Sequence, residues 1–407
     1  MLFKDIIGQQ ATKQQLCEML QHNRLSHALI FLGKEGCGAL SLALAFAQYV
    51  SLNPHAKTAA KEPVTSLFGE EPIIAVENTI PETPEAADAF MEKHPAYSKA
   101  SKYVHPDIHF SYPVIPKKSG DKPKSTDYIT EWREFISLHP YGNAFDWLQF
   151  IGAENKQGNI TSEECNDIIH KLSLKSFESE YKILVMWMPE YLGKEGNKLL
   201  KLIEEPPANT LFILVAETEE QILPTILSRC QLVKIPLPET VEIRTALIER
   251  TGATEEVALQ TAAIAEGNYR EALQLLQHSE EDWISLLSDW LKFVIRGMLP
   301  EQVKWVDDIS KLGREKQKQL LLYFNHLLEQ GIRLRVMGDG ISIAEKEKDF
   351  AQRINKITSV SQQQVIIEEL DKATYYIERN ANAKMLFHAL TIKMYHIIQD
   401  KALFLTD

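Results

Sequence analysis

Residues 33–40 read GKEGCGAL and follow the apolar run HALIFL. Gly33, Gly36 and Gly38 keep the glycine frame of a phosphate-cradling loop, G-x-x-x-x-G-K-[ST]. In such a loop backbone N–H groups converge on an anion at a helix N-terminus. The lysine reaches the outer phosphates and the hydroxyl holds Mg²⁺. Here Ala39 and Leu40 stand in those two places, and Lys34 lies on the wrong side of the loop to replace the lysine. A magnesium site also needs an aspartate at the tip of a buried strand. The natural candidate is the end of ILVMWMPE, where Trp187 and Met188 fill the acidic places and Glu190 follows a proline. Losing both elements together predicts a chain that does not itself hydrolyse ATP. Two alternatives stay open: nucleotide bound without hydrolysis, and an active ATPase with Glu190 as a divergent Mg²⁺ ligand.

These residues need a strand before the loop and a helix after it. ALIFL (28–32) reads as a buried strand, and ALSLALAFAQYVSL (39–52) as a helix that stops before Asn53-Pro54. KILVMWM (182–188), LFILVAE (211–217) and CQLVKI (230–235) read as further buried strands, and HPDIHFSYPV (105–114) as a strand entered through a turn. Continuous apolar strands alternating with helices predict an α/β fold, a parallel sheet covered on both faces. Helices are predicted over 9–22 and 196–205, and over 160–174 with a capping box between Thr161 and Glu164. From about residue 240 the periodicity is helical almost throughout. The expected organisation is an α/β domain over 1–238 with an insertion at about 53–130, a small helical lid over 239–281, and a C-terminal helical domain over 282–407.

The bulk properties exclude several classes. With 407 residues the chain can hold two or three domains. A formal net charge of -12 disfavours non-specific nucleic-acid binding by this chain alone. Cys17, Cys37, Cys165 and Cys230 form no C-x-x-C pair, which predicts reduced thiols and no zinc ribbon. His55, His94, His105 and His109 are scattered, so no metal is predicted. MLFKDIIGQQ is not a signal peptide and no stretch approaches the ~18 apolar residues of a membrane span. A cytoplasmic protein without membrane partners is expected.

Three stretches together are specific. GNKLLKLIEEPPANTLFILVAE (196–217), ILPTILSRCQ (222–231) and the opening IIGQQATKQQL with RLSHALIFLGKEGCG resemble the clamp-loader AAA+ subunits of bacterial DNA polymerase III. GNYREAL (267–273) and ERNANAKMLFHAL (378–390) extend the resemblance nearly end to end. It implies an AAA+ domain, a lid and a collar domain. It implies that Ser228, Arg229 and Cys230 are the family's Ser-Arg-Cys motif, with Arg229 projecting as an arginine finger into a neighbouring subunit's ATP site. Arg270 matches the sensor-2 arginine, which faces phosphates in active subunits. Beside the degenerate loop a structural role for Arg270 is expected. The implied partners are the ATPase subunits (gamma/tau), the delta subunit, the sliding clamp through the complex, and primed DNA. ATP and Mg²⁺ would then sit in the neighbour's site, with no cofactor held by this chain, as part of a DNA polymerase holoenzyme. The four-cysteine zinc module of many members is missing. A helical scaffold whose α/β layer merely packs is the blander alternative.

Overall fold

The computed structural model describes residues 1–53, 80–118, 120–153, 158–277, 283–338, 345–378 and 381–400. The stretch 54–79 of the expected insertion, with His55, lies outside them. The chain divides into two compact units, Met1–Leu273 and Gln274–Asp407.

The first unit is built on five strands: β1 (Ala28–Leu32), β2 (Ile108–Ser111), β3 (Lys182–Trp187), β4 (Thr210–Ala216) and β5 (Gln231–Lys234). All pairings are parallel, in the order β2-β3-β4-β1-β5. β1 lies in register with β4, Leu29 opposite Ile213 and Leu32 opposite Ala216. β1, β3 and β4 are apolar on both faces because both faces are covered. Leu29, Phe31, Ile213, Val215 and Trp187 point into one core, and Ala28, Ile30, Phe212, Leu214 and Met186 into the other.

Helices α1 (Gln10–Gln21), α2 (Ala39–Leu52), α3 (Pro84–Lys93), the short α4 (Tyr97–Ala100), α5 (Ile129–Leu138) and α6 (Ala144–Phe150) supply or flank the first core. The second is closed by α7 (Ser162–Ser173), α8 (Leu200–Glu204) and α9 (Pro224–Leu227). α10 (Thr240–Thr251), α11 (Glu255–Ala265) and the start of α12 (Tyr269–Gln277) complete the unit.

Three local expectations need correction. The helix read over 196–205 is α-helical only from Leu200 to Glu204. Residues Pro189–Leu199 form 3₁₀ turns interrupted at Gly193, whose φ of 51° and ψ of -140° break the spiral. The strand read over 105–114 shortens to Ile108–Ser111: His105 Nδ1 accepts from the Asp107 amide, and the Asp107 carboxylate accepts from the Phe177 amide 70 residues away. At the start of α7, Thr161 caps the Glu164 amide at 3.1 Å, but the Glu164 carboxylate does not return to complete a box. It accepts from the Ser125 amide at 2.7 Å instead.

The second unit is helical in its described residues: α13 (Trp283–Arg296), α14 (Leu299–Ser310), α15 (Arg314–Met337), α16 (Glu345–Ile357), α17 (Val360–Glu378) and α18 (Ala383–Gln399). The long α15 packs along α16 and α17, and α18 along α14 and α17. Trp290 and Trp305 stack at 4.5 Å and, with Phe324 and Phe387, centre the core.

Candidate functional site

The glycine loop leaves the C-terminal edge of the sheet, where ligands bind in open parallel α/β folds. The Gly33 amide donates to Ala216 O at 3.1 Å, which moors the loop to the tip of β4. Gly33 must lack a side chain: a Cβ there would meet Cys37 Sγ at 2.5 Å and Ile235 Cβ at 2.9 Å. Gly36 and Gly38 have φ of 75° and 85°, the left-handed region open to glycine. The loop therefore keeps the backbone shape that its glycines predict.

The space above it is filled. A Cβ on Gly38 would touch the Tyr141 ring at 2.9 Å, and one on Gly36 would overlap Asn268 Oδ1 at 1.9 Å. The Tyr141 hydroxyl accepts from the Ile7 amide at 2.8 Å, and its ring packs edge-on against Tyr269 at 4.9 Å. Leu40, where a hydroxyl would hold metal, is buried in the core. What remains is a cavity of ≈ 30 Å³ whose lining includes Lys34, Glu35, Leu40, Tyr141, Trp187 and Glu217. That is room for about one or two waters.

The tip of β3 has become core as well. Trp187 lies 5.3 Å from Trp132 and 6.1 Å from Phe135. Trp132 stacks on Tyr112 at 4.0 Å and meets Trp147 at 5.3 Å. Met188, with φ of 58°, donates its amide to Val215 O at 2.9 Å. Glu190 turns away: its Oε1 accepts from the amides of Glu217 and Thr218 at 2.7 and 2.9 Å. Burial nevertheless raises its carboxyl above the ordinary range. It closes the end of β4 and does not line the cavity beside the loop.

Arg270, at the start of α12, is held against the loop. Its side chain is 5% exposed. Nε and Nη2 form a fork on Asp146 at 2.5 and 2.6 Å, and Nη1 reaches Glu35 Oε1 at 3.0 Å. Glu35, inside the glycine loop, also accepts from Asn268 Nδ2 at 3.3 Å and Asn143 Nδ2 at 2.8 Å. Asn143 and Asp146 cap the start of α6, each accepting from the other's amide.

Arg229 presents the opposite case. In the motif, Cys230 packs against the second core, Ser228 is exposed and Arg229 is a third exposed. Burial pushes the Cys230 thiol up to about 12. Arg229 folds onto Glu204, Nε to Oε1 at 2.5 Å with Nη2 on the same oxygen. Nη1 donates to Thr225 O at 2.7 Å and to Ser228 Oγ at 3.0 Å.

Gly33, Gly36, Gly38 and Arg270 thus gather at one place in the unit, and Ser228, Arg229 and Cys230 form a separate surface turn. The sequence reading passed over Glu35, Asp146, Asn143, Asn268 and Tyr141. The acidic residue inside a phosphate-type loop was the one signal that could have pointed to Glu35. Among the described residues no group of three or more His, Cys, Asp and Glu could hold a metal ion. His105 Nδ1 accepts from the Asp107 amide at 3.2 Å, and burial lowers the His109 imidazole to about 4. No helix of the described residues is long and apolar enough to cross a membrane.

A parallel sheet in this order, with a glycine loop after β1 and an arginine from a helical segment facing that loop, is the arrangement of an AAA+-type α/β fold. Residues 92–239 match the family described as DNA polymerase III, delta subunit. DNA polymerase III subunit gamma of Buchnera aphidicola (from Acyrthosiphon pisum) is 29% identical over 44% of this chain and 51% of its own length. Subunit delta' of Haemophilus influenzae is 31% identical over 33% of this chain and 40% of its own, and that of Bacillus subtilis 30% over 30% and 37%. The matched segments thus span about half or less of these relatives. Over these segments the chain is similar to clamp-loader subunits of DNA polymerase III.

Proposed function

We propose that this chain is a non-catalytic, delta-prime-like clamp-loader subunit. It assembles with ATPase subunits of the gamma/tau kind and a delta subunit, holds no nucleotide or metal of its own, and supplies Arg229 to the ATP of a neighbour. Through the complex it helps load the sliding clamp onto primed DNA in the cytoplasm.

The observation that carries this reading is the contrast at the two arginines. The glycine loop is filled by Tyr141, Asn268 and its own Glu35, leaving ≈ 30 Å³ beside it. Arg229 is kept at the surface by a carboxylate, the kind of partner a phosphate can replace. A guanidinium is permanently charged and forks onto phosphate oxygens, so it stabilises charge that develops on a transferring γ-phosphoryl group. The alternative of a self-sufficient ATPase needs Glu190 as a metal ligand, and two backbone amides already engage that carboxylate. Assembly through the C-terminal unit is favoured by Met385, Ile392 and Tyr395, which repeat on one face of α18 and are exposed.

The test is Arg229→Ala in a complex reconstituted from gamma/tau, delta and this chain. We expect assembly to persist and ATP turnover at the neighbouring site, and with it clamp loading, to fall by about a thousandfold or more, the scale of lost arginine fingers. Undiminished turnover would exclude the role in trans. ATP turnover by the purified chain, abolished by Glu190→Gln, would favour the enzyme reading instead.

A further inference from the structure

We infer that Glu35 is a built-in substitute for a nucleotide phosphate, so that the lid is latched to the glycine loop whatever nucleotide is present. The inference goes beyond the proposed loader role and does not depend on Arg229.

The loop ordinarily offers an anion site, and here the anion comes from within it. A carboxylate carries negative charge on two acceptor oxygens and pairs with a guanidinium as a phosphate does. Glu35 Oε1 receives Arg270 Nη1 at 3.0 Å and Asn268 Nδ2 at 3.3 Å, both from the lid. Oε2 receives Asn143 Nδ2 at 2.8 Å from the start of α6. One loop carboxylate therefore joins three segments that lie 108 to 235 residues apart in sequence.

The backbone repeats the junction. The Tyr269 amide donates to Gly36 O at 3.3 Å. Asn268 accepts from the Glu271 amide at 3.1 Å, which caps α12, while its other end bonds Glu35. The lid helix thus begins on the loop itself. The close approach needs Gly36, since a Cβ there would meet Asn268 Oδ1 at 1.9 Å. Asp146 holds the other two guanidinium nitrogens and keeps Arg270 aimed at the loop. Glu35 is a positioning residue: it makes lid placement a property of the chain and not of a bound ligand.

Hydrogen exchange followed by mass spectrometry on the full chain tests this. Glu35→Ala should speed exchange in lid peptides within 240–265 by about tenfold or more, the scale of losing charge-assisted hydrogen bonds. Strand peptides within 182–187 and 210–216 should stay protected, which controls for folding. Gly36→Ala keeps the carboxylate but pushes Asn268 away, and should loosen the same peptides. Millimolar Mg-ATP should leave lid exchange in the unmodified chain unchanged. Lid exchange that is unaltered in both variants would overturn the latch. So would protection of the unmodified lid by Mg-ATP. Loss or survival of loader activity in Arg229→Ala bears on the proposed function alone.

Discussion

Arg270 and Arg229 are both paired with glutamate or aspartate, and the pairings have opposite consequences. Arg270 is 5% exposed, with partners Asp146 and Glu35 only 22% and 23% exposed. Arg229 and Glu204 are 34% and 43% exposed. Removing one member of a buried set strands the other charges and costs about 3–5 kcal/mol. An exposed pair contributes about 0–1 kcal/mol, because water and salt compete for it. The buried arginine is committed to structure, whereas the exposed one can leave its partner at little cost. The proposed role of Arg229 in trans calls for the second kind of site.

The largest expected effect breaks the comparison on its buried side. Arg270→Met should lower unfolding stability by about 3–5 kcal/mol, read from the urea midpoint. Adding Asp146→Asn and Glu35→Gln to that variant should recover a substantial part, since the stranded charges go with the arginine. Gly36→Ala should cost about 1–3 kcal/mol, from the positive φ and the overlap with Asn268. A loss equal to that of Arg229→Ala would show that the loop and lid are not tightly joined.

Glu164 sharpens the comparison, being a buried carboxylate without an arginine. Burial raises its carboxyl above the ordinary range, only partly opposed by the Ser125 amide. A carboxyl raised in the folded state contributes stability that is present below its unfolded value and is lost as pH rises through the folded value. Glu164→Gln should therefore flatten the decline in stability as pH rises above the ordinary carboxylate range and melt higher at the upper end. The smallest effects belong to the surface pair: Arg229→Ala and Glu204→Gln should each change stability by no more than about 1 kcal/mol, even though the first is expected to disable the complex.

The sheet was legible because β1, β3 and β4 are continuous apolar runs, which a two-faced parallel sheet requires. The Thr161 cap was legible because capping is local, but the destination of Glu164 was not, since Ser125 lies 39 residues away. The same distinction governs the site. Missing side chains at Ala39, Leu40 and Trp187 can be read from a motif, while their replacements cannot. Glu35 meets Arg270 across 235 residues and Asp146 meets it across 124, and no spacing rule links them. The helix read over 196–205 is found with a different winding: residues before Leu200 belong to a run of 3₁₀ turns and only Leu200–Glu204 is α-helical.

Each of the two regions contains a cysteine. Cys37 lies within the glycine loop, its Sγ packed toward Gly33, and Cys230 follows Arg229; burial pushes both thiols up to about 12. Thiol reagents attack the thiolate, so near neutral pH each sulfur stays silent until its surroundings open. Cys37 is 1% exposed and Cys230 half-buried, so labelling should reach Cys230 first. The two sulfurs are native chemical clocks, one timing the buried arginine and the other the exposed arginine proposed to act in trans.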